Sequence, residues 1–253
     1  MLQLRTSILA LLLASGLLAA CSPAVAPMDA RGLLVAMHDR YNGVRPATMT
    51  FVQTTILHRP GAEADTSTWY EAAVPGRLRI DFAPVSEGNS AVYDGGMLFV
   101  RRAGQLVGSR AEVNPLLLLL MDVYQKDPAE IAVTLDSLGV DLSIIREAEW
   151  EGRPVWVVGA AEGDETSMQF WVEKERLVTL RVIQPVGGGA SIFDARVVAH
   201  REMSGYPQEV ALLMYLDGAL YQEEYYDSIR AGVKIDPALF DTSTAFITTP
   251  YWR

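Results

Sequence analysis

Arg77, Arg79 and Asp81 alternate with Leu78, Ile80 and Phe82, a period of two that predicts a half-buried β-strand. The same rhythm starts at Thr48, where Met49, Phe51 and Leu57 alternate with Thr48, Thr50 and Thr54, and returns over 66–73, which carries Trp69 and Tyr70. Residues 91–93 and 97–100 flank Asp94-Gly95. That dipeptide predicts a hairpin, because Asp-Gly accommodates the positive φ of a type I′ turn. A turn at Ala103-Gly104 leads into a strand over 105–109. Further strands are predicted over 154–158, 167–172, 177–183, 191–200, 209–216 and 220–226, with turns at Gly163-Asp164, 173–175, 187–189 and Asp217-Gly218.

Helical spacing interrupts this rhythm. Asp29 is placed as an N-cap, Leu33, Leu34, Met37 and Tyr41 share one face with His38 at its margin, and Asn42-Gly43 stops the helix. Asn114-Pro115 is a helix start, with the cap residue followed by a proline at the first helical position, where no N–H is missed. Six apolar residues, 116–121, follow it. Asp127-Pro128-Ala129-Glu130 repeats the device, and that helix runs toward Leu138 and Gly139. About eleven strands in hairpin succession, with helices mid-chain, predict an α+β fold that is mainly antiparallel β. The expected form is one large sheet curled around the central helices, with no domain boundary inside 29–253.

Residues 1–20 fall outside this pattern. A single positive charge, Arg5, precedes an apolar run over 8–20, shorter than the roughly 20 residues that cross a bilayer and suited to an export signal. The run ends Leu18-Ala19-Ala20-Cys21, which resembles the lipobox of bacterial lipoproteins. That resemblance implies cleavage after residue 20, a lipid on the Cys21 thiol and a tethered linker over 21–28. More than one acyl chain holds such an anchor stably, since each buried CH₂ is worth about 0.8 kcal/mol. Ser22 in second place implies the periplasmic face of an outer membrane. Cys21 is the one cysteine in the chain, so no internal disulfide forms and the core alone must stabilise the fold.

Beyond residue 20 the chain keeps 20 basic and 31 acidic residues, a net charge of −11. Such a surface repels nucleic acid and anionic headgroups. His38, His58 and His200 are scattered, without metal-ligand spacing, and no Gly-x-Ser-x-Gly or spare cysteine supplies a nucleophile. Gly187-Gly188-Gly189 lacks the Lys and Ser/Thr of a phosphate loop. Glu223 and Glu224 point to opposite faces of a strand, unsuited to paired acid–base work. The expectation is a binding protein with no enzyme activity, cofactor or metal.

The apolar side of the chain is more informative. Trp69, Trp156, Trp171, Phe51, Phe82, Phe99 and Phe170 all fall in strands, and the leucine run after Pro115 is apolar all round. A helix needs that only when it is surrounded. It is either a core helix packed on the sheet or a lid over a cavity for acyl chains.

Four strings resemble the LolA-like superfamily of lipoprotein-sorting and lipid-carrier proteins. They are Val74-Pro75-Gly76-Arg77-Leu78-Arg79-Ile80-Asp81, the hairpin from Ala91 to Val100, Phe170-Trp171-Val172-Glu173 through Leu177 with Arg181, and Ile235-Asp236-Pro237-Ala238-Leu239-Phe240. Their order and spacing match over roughly 45–245. The resemblance implies a half-open antiparallel barrel with inserted helices over its concave face, and a hydrophobic cavity between them. The cavity residues expected are Phe51, Leu78, Ile80 and Phe82 on the sheet, with Leu116, Leu119 and Leu120 on the lid. The function implied is binding of lipid acyl chains or lipoproteins for carriage or sorting. Its alternative is a lipoprotein that holds a partner envelope protein or senses envelope stress on the same fold.

Overall fold

A computed structural model describes residues 29–243 and 250–253 of the chain. The signal segment 1–20, Cys21 and the rest of the linker lie outside the described residues. Helix α1 (Ala30–Tyr41) starts where Asp29 accepts from the Gly32 N–H at 2.6 Å. It buries Leu33, Leu34, Met37 and Tyr41. Asn42 and Gly43, with φ 76°, then turn the chain toward the sheet.

Six strands follow as a meander: β1 (Met49–Leu57), β2 (Asp65–Val74), β3 (Arg77–Phe82), β4 (Ser90–Asp94), β5 (Met97–Arg102) and β6 (Gln105–Ala111). The chain then leaves the sheet through α2 (Pro115–Leu120), a single 3₁₀ turn (Asp122–Tyr124) and α3 (Pro128–Ser137). A second meander brings it back: β7 (Ile145–Trp150), β8 (Arg153–Val158), β9 (Gln169–Glu173), β10 (Thr179–Val186), β11 (Ser191–Met203), β12 (Tyr206–Leu216) and β13 (Ala219–Ala231). Strand β13 pairs with β1, which joins the two meanders into one antiparallel sheet with β6 at one edge and β7 at the other. The two edges do not pair, so the sheet is an open half-barrel. Because β6 and β7 lie at opposite edges, the segment between them must cross the sheet. That crossing carries α2 and α3 over the concave face.

The sheet has thirteen strands rather than about eleven. Strand β7 went unforeseen because Ile-Arg-Glu-Ala-Glu-Trp is an edge with no fully buried position, so it shows little apolar phase. The β4–β5 turn is shifted by one residue from Asp94-Gly95. Asp94 pairs with Met97, and Gly95 and Gly96 take the positive φ values, 58° and 77°. Strand β10 starts at Thr179 rather than residue 177, since Leu177 sits at φ 55° in the preceding turn.

The core is divided. Its largest part packs α1, α3 and the 3₁₀ turn against β8, β9 and β10, with Leu34, Ile131, Leu135, Val157, Phe170 and Leu180 at its centre. Tyr41, Tyr124 and Tyr206 stack edge to face there, with ring centroids 4.9–5.5 Å apart. The buried Arg45 guanidinium lies 5.0 Å from the Tyr206 ring. Two smaller clusters face each other across the trough, one on β1, β2 and β3, the other on β11 and β12. A fourth lies on the convex face, where Leu239, Phe240 and Tyr251 cover Ala72 and Val92.

That convex cover changes the reading of β3. Arg79 and Asp81, expected to face water, are 4% and 0% exposed. The Arg79 Nε donates to both Asp81 oxygens at 3.1 and 3.0 Å, and its Nη1 donates to the Leu239 carbonyl at 2.9 Å. A charged phase of a strand is buried here because each charge is matched and the chain's own end roofs it.

Candidate functional site: the trough under α2

The trough is built by α2. Asn114 accepts from the Leu116 and Leu117 N–H groups at 2.9 and 3.1 Å, which starts a helix of only six residues. Each side of that helix meets a different part of the core. Leu118 and Leu119 join the large cluster, Leu117 and Met121 join the β1–β3 cluster, and Leu120 joins the β11–β12 cluster, with Leu116 packed beside it. Leu117 through Leu120 are all buried. Full burial of one leucine side chain is worth roughly 1.5–3 kcal/mol, so this short helix is held by tertiary packing. Thr179 fixes it to β10 by donating to the Leu119 carbonyl at 2.8 Å.

The two flanking clusters do not close on each other, and the gap between them is the cavity. On one side of Leu116 it holds about 590 Å³ of space between atoms, mouth included, bordered by Met49, Phe51, Leu78, Ile80, Leu117 and Met121. On the other side it continues as about 850 Å³, open to solvent and bordered by Val182, Val186, Phe193 and Met214. Trp69, Ile80, Asn114, Leu116 and Glu224 border both parts.

Of the seven positions expected in a cavity, Phe51, Leu78, Ile80, Leu116 and Leu120 border this one. Phe82 does not border it; its ring packs edge to face on Trp69 at 5.0 Å. Leu119 points the other way, into the large cluster, and is fully buried there. One helical position separates Leu119 from Leu120, a rotation of about 100°.

Sequence reasoning missed the polar part of the lining. Glu71 on β2 and Glu224 on β13 project into the same cavity, together with Glu209. Burial is the main reason the Glu71 carboxyl is held well above its ordinary range, with the nearby Glu224 charge adding to it. Burial also pushes Glu224 up to about 7, opposed by its hydrogen bonds. The Gln222 Nε2 and the Tyr226 hydroxyl donate to Glu224 at 2.6 and 3.3 Å. Glu209 has a cationic partner, Arg45, at 3.5 Å. The signal for Glu71 was a carboxylate in phase with Trp69 and Ala73 on the inward side of its strand.

The remaining candidates lie elsewhere. His58 sits 2.8 Å from Glu223 on the outside, His38 lies 3.1 Å from its neighbour Asp39, and burial depresses His200 to about 4. Among the described residues no three His, Cys, Asp or Glu side chains come together as a metal site, and no helix is long and apolar enough to cross a membrane. Arg181, from one of the four family-like strings, is on the convex face between the rings of Trp150 and Trp171, at 4.6 and 4.8 Å, and ion-paired to Asp194 at 2.8 Å.

Solved structures share this fold. A putative outer membrane lipoprotein-sorting protein domain from Vibrio parahaemolyticus superposes with a TM-score of 0.58 at 10% identity, over 83% of this chain and 95% of its own. A LolA superfamily protein from Nitrosomonas europaea gives 0.55 at 11%, over 83% and 97%. The fold is LolA-like. A DUF1329 family protein from Desulfovibrio piger gives 0.55 at 13% identity, over 85% and 96%. Neither a family model nor a curated protein matches the sequence. The fold is thus shared at low sequence identity.

Proposed function

We propose that this chain is a lipid-anchored envelope protein that takes the acyl chain of a lipid or lipoprotein into the trough beneath α2. The observation that carries the reading is the gap between the β1–β3 and β11–β12 clusters, bordered chiefly by apolar side chains, with Tyr226 packed against both clusters. Buried hydrocarbon would gain about 25 cal/mol for each Å² of apolar surface removed from water. Leu116, half buried, borders both parts of this space. The LolA-like fold supports the reading, since one structure of that fold is named for lipoprotein sorting.

The anchor is the second part of the proposal. Cys21, following Leu18-Ala19-Ala20, carries the lipid and places the domain at the periplasmic face of the outer membrane. The trough then serves carriage or sorting at that surface without chemical conversion. Expression in a bacterial host with and without Cys21→Ser tests the anchor. The wild-type chain partitions with membranes and the variant appears in the soluble periplasmic fraction; membrane partitioning of both would overturn it. Native mass spectrometry of the released variant tests the trough. Co-purified lipid or uptake of an added fatty alcohol is expected, and repeated absence of both would remove the binding reading.

A further inference from the structure

A trough meant for hydrocarbon alone has no use for desolvated carboxylates, yet this one holds two without a cation. Glu71 is 5% exposed, borders the cavity, and makes no hydrogen bond or ion pair among the described residues. Glu224 is 7% exposed and is met by the neutral side chains of Gln222, Tyr226 and Gln53. Among the described residues no Lys, Arg or His borders either part of the cavity. The other two acids on its walls are already matched: Glu209 by Arg45 at 3.5 Å and Glu112 by Arg110 at 2.5 Å.

We propose that the cavity takes an amphiphile with a protonated amine at its head, seated between Glu71 and Glu224, with its alkyl chain along Leu78, Ile80 and Leu116. The inference rests on the acyl-chain reading above and adds the chemistry of the head. An ammonium offers three donors and no acceptor, so it satisfies the free lone pairs of Glu71 and the remaining ones of Glu224 with charge-assisted bonds. A plain alkyl chain would expel water from Glu71 and leave it unmatched. A carboxylate or phosphate head brings no positive charge to match either acid, and whatever fraction of Glu71 or Glu224 is ionised repels it in a medium that screens poorly. The chain's overall acidity draws the same ligand class toward the mouth.

The test uses the full chain carrying Cys21→Ser, titrated at pH 8 with dodecylammonium, dodecanol and dodecanoate, each below its micellar concentration. Dodecylammonium is expected to bind at least about tenfold more tightly than dodecanol, with dodecanoate the weakest. Glu71→Gln and Glu224→Gln keep the side-chain shape and remove the charge. Each narrows the amine–alcohol gap severalfold. Equal affinity for all three probes, or a gap untouched by both substitutions, overturns the inference and leaves the hydrocarbon trough standing. Failure of every probe to bind overturns both. Should either variant not fold, the wild-type ranking decides alone: an alcohol or carboxylate bound as tightly as the amine refutes the ammonium seat.

Discussion

Glu224 carries a pH dependence that follows from its burial. Its carboxyl, at 4.5 when free, is pushed up to about 7 in the folded chain. The native state therefore keeps a proton that the unfolded chain releases above about pH 4.5, so stability falls as pH rises toward 7. The full effect corresponds to about 3 kcal/mol, lost progressively between pH 4.5 and 7. Glu71 acts in the same direction. Urea midpoints of wild type and Glu224→Gln are expected to diverge between pH 5 and pH 8, the variant being the more stable at pH 8; parallel midpoints would contradict this. His200 works from the acid side. Held neutral by burial and lowered to about 4, it loses stability as pH falls from 6.5 through 4, because the unfolded chain binds the proton first. At this scale the sequence was half legible. Inward apolar positions such as Leu78 and Ile80 followed from alternation, whereas Glu71 and Glu224 required knowing that β2 and β13 face one trough.

Helix α2 is the element on which the trough depends, and its two sides respond differently to truncation. Leu119→Ala removes a fully buried side chain from the large cluster and is expected to cost about 3–5 kcal/mol, read as a shift of the denaturation midpoint. Leu116→Ala, half buried at the cavity wall, costs about 1 kcal/mol or less and instead widens access, raising the rate of alkyl-probe uptake. Equal destabilisation by both would place Leu116 in the core and close the trough. Asn114→Ala removes the acceptor for the Leu116 and Leu117 N–H groups and lowers stability by about 1 kcal/mol. The caps Asp29, Asn114 and Asp127 were legible because capping is local chemistry. The rotation that sends Leu119 inward and Leu120 to the cavity was not, since a run apolar on every side has no phase.

The whole molecule is two meanders joined where β13 meets β1, with the crossing between their far edges laid over the concave face. Hairpin succession made the antiparallel sheet legible from turns such as Ala103-Gly104 and Asp217-Gly218, both residues of each at positive φ. The β1–β13 pairing was not legible, because it joins opposite ends of the described chain and leaves no local mark. Nor was the convex roof over Arg79 and Asp81, where alternation predicted a solvated face. The family-like strings at Arg79, Arg181 and Leu239-Phe240 are now explained as framework: buried ion pairs and their cover, away from the trough.

The central claim is that the gap beneath α2 admits an alkyl chain. Titration of the Cys21→Ser chain with a fluorescent dodecyl probe, beside an Ile80→Trp variant that fills the space bordered by Ile80 on both sides of Leu116, tests it most directly. Saturable one-to-one binding by the first and its loss in a variant with an unchanged circular-dichroism spectrum is the predicted result. Binding by neither protein, or equally by both, would contradict the account.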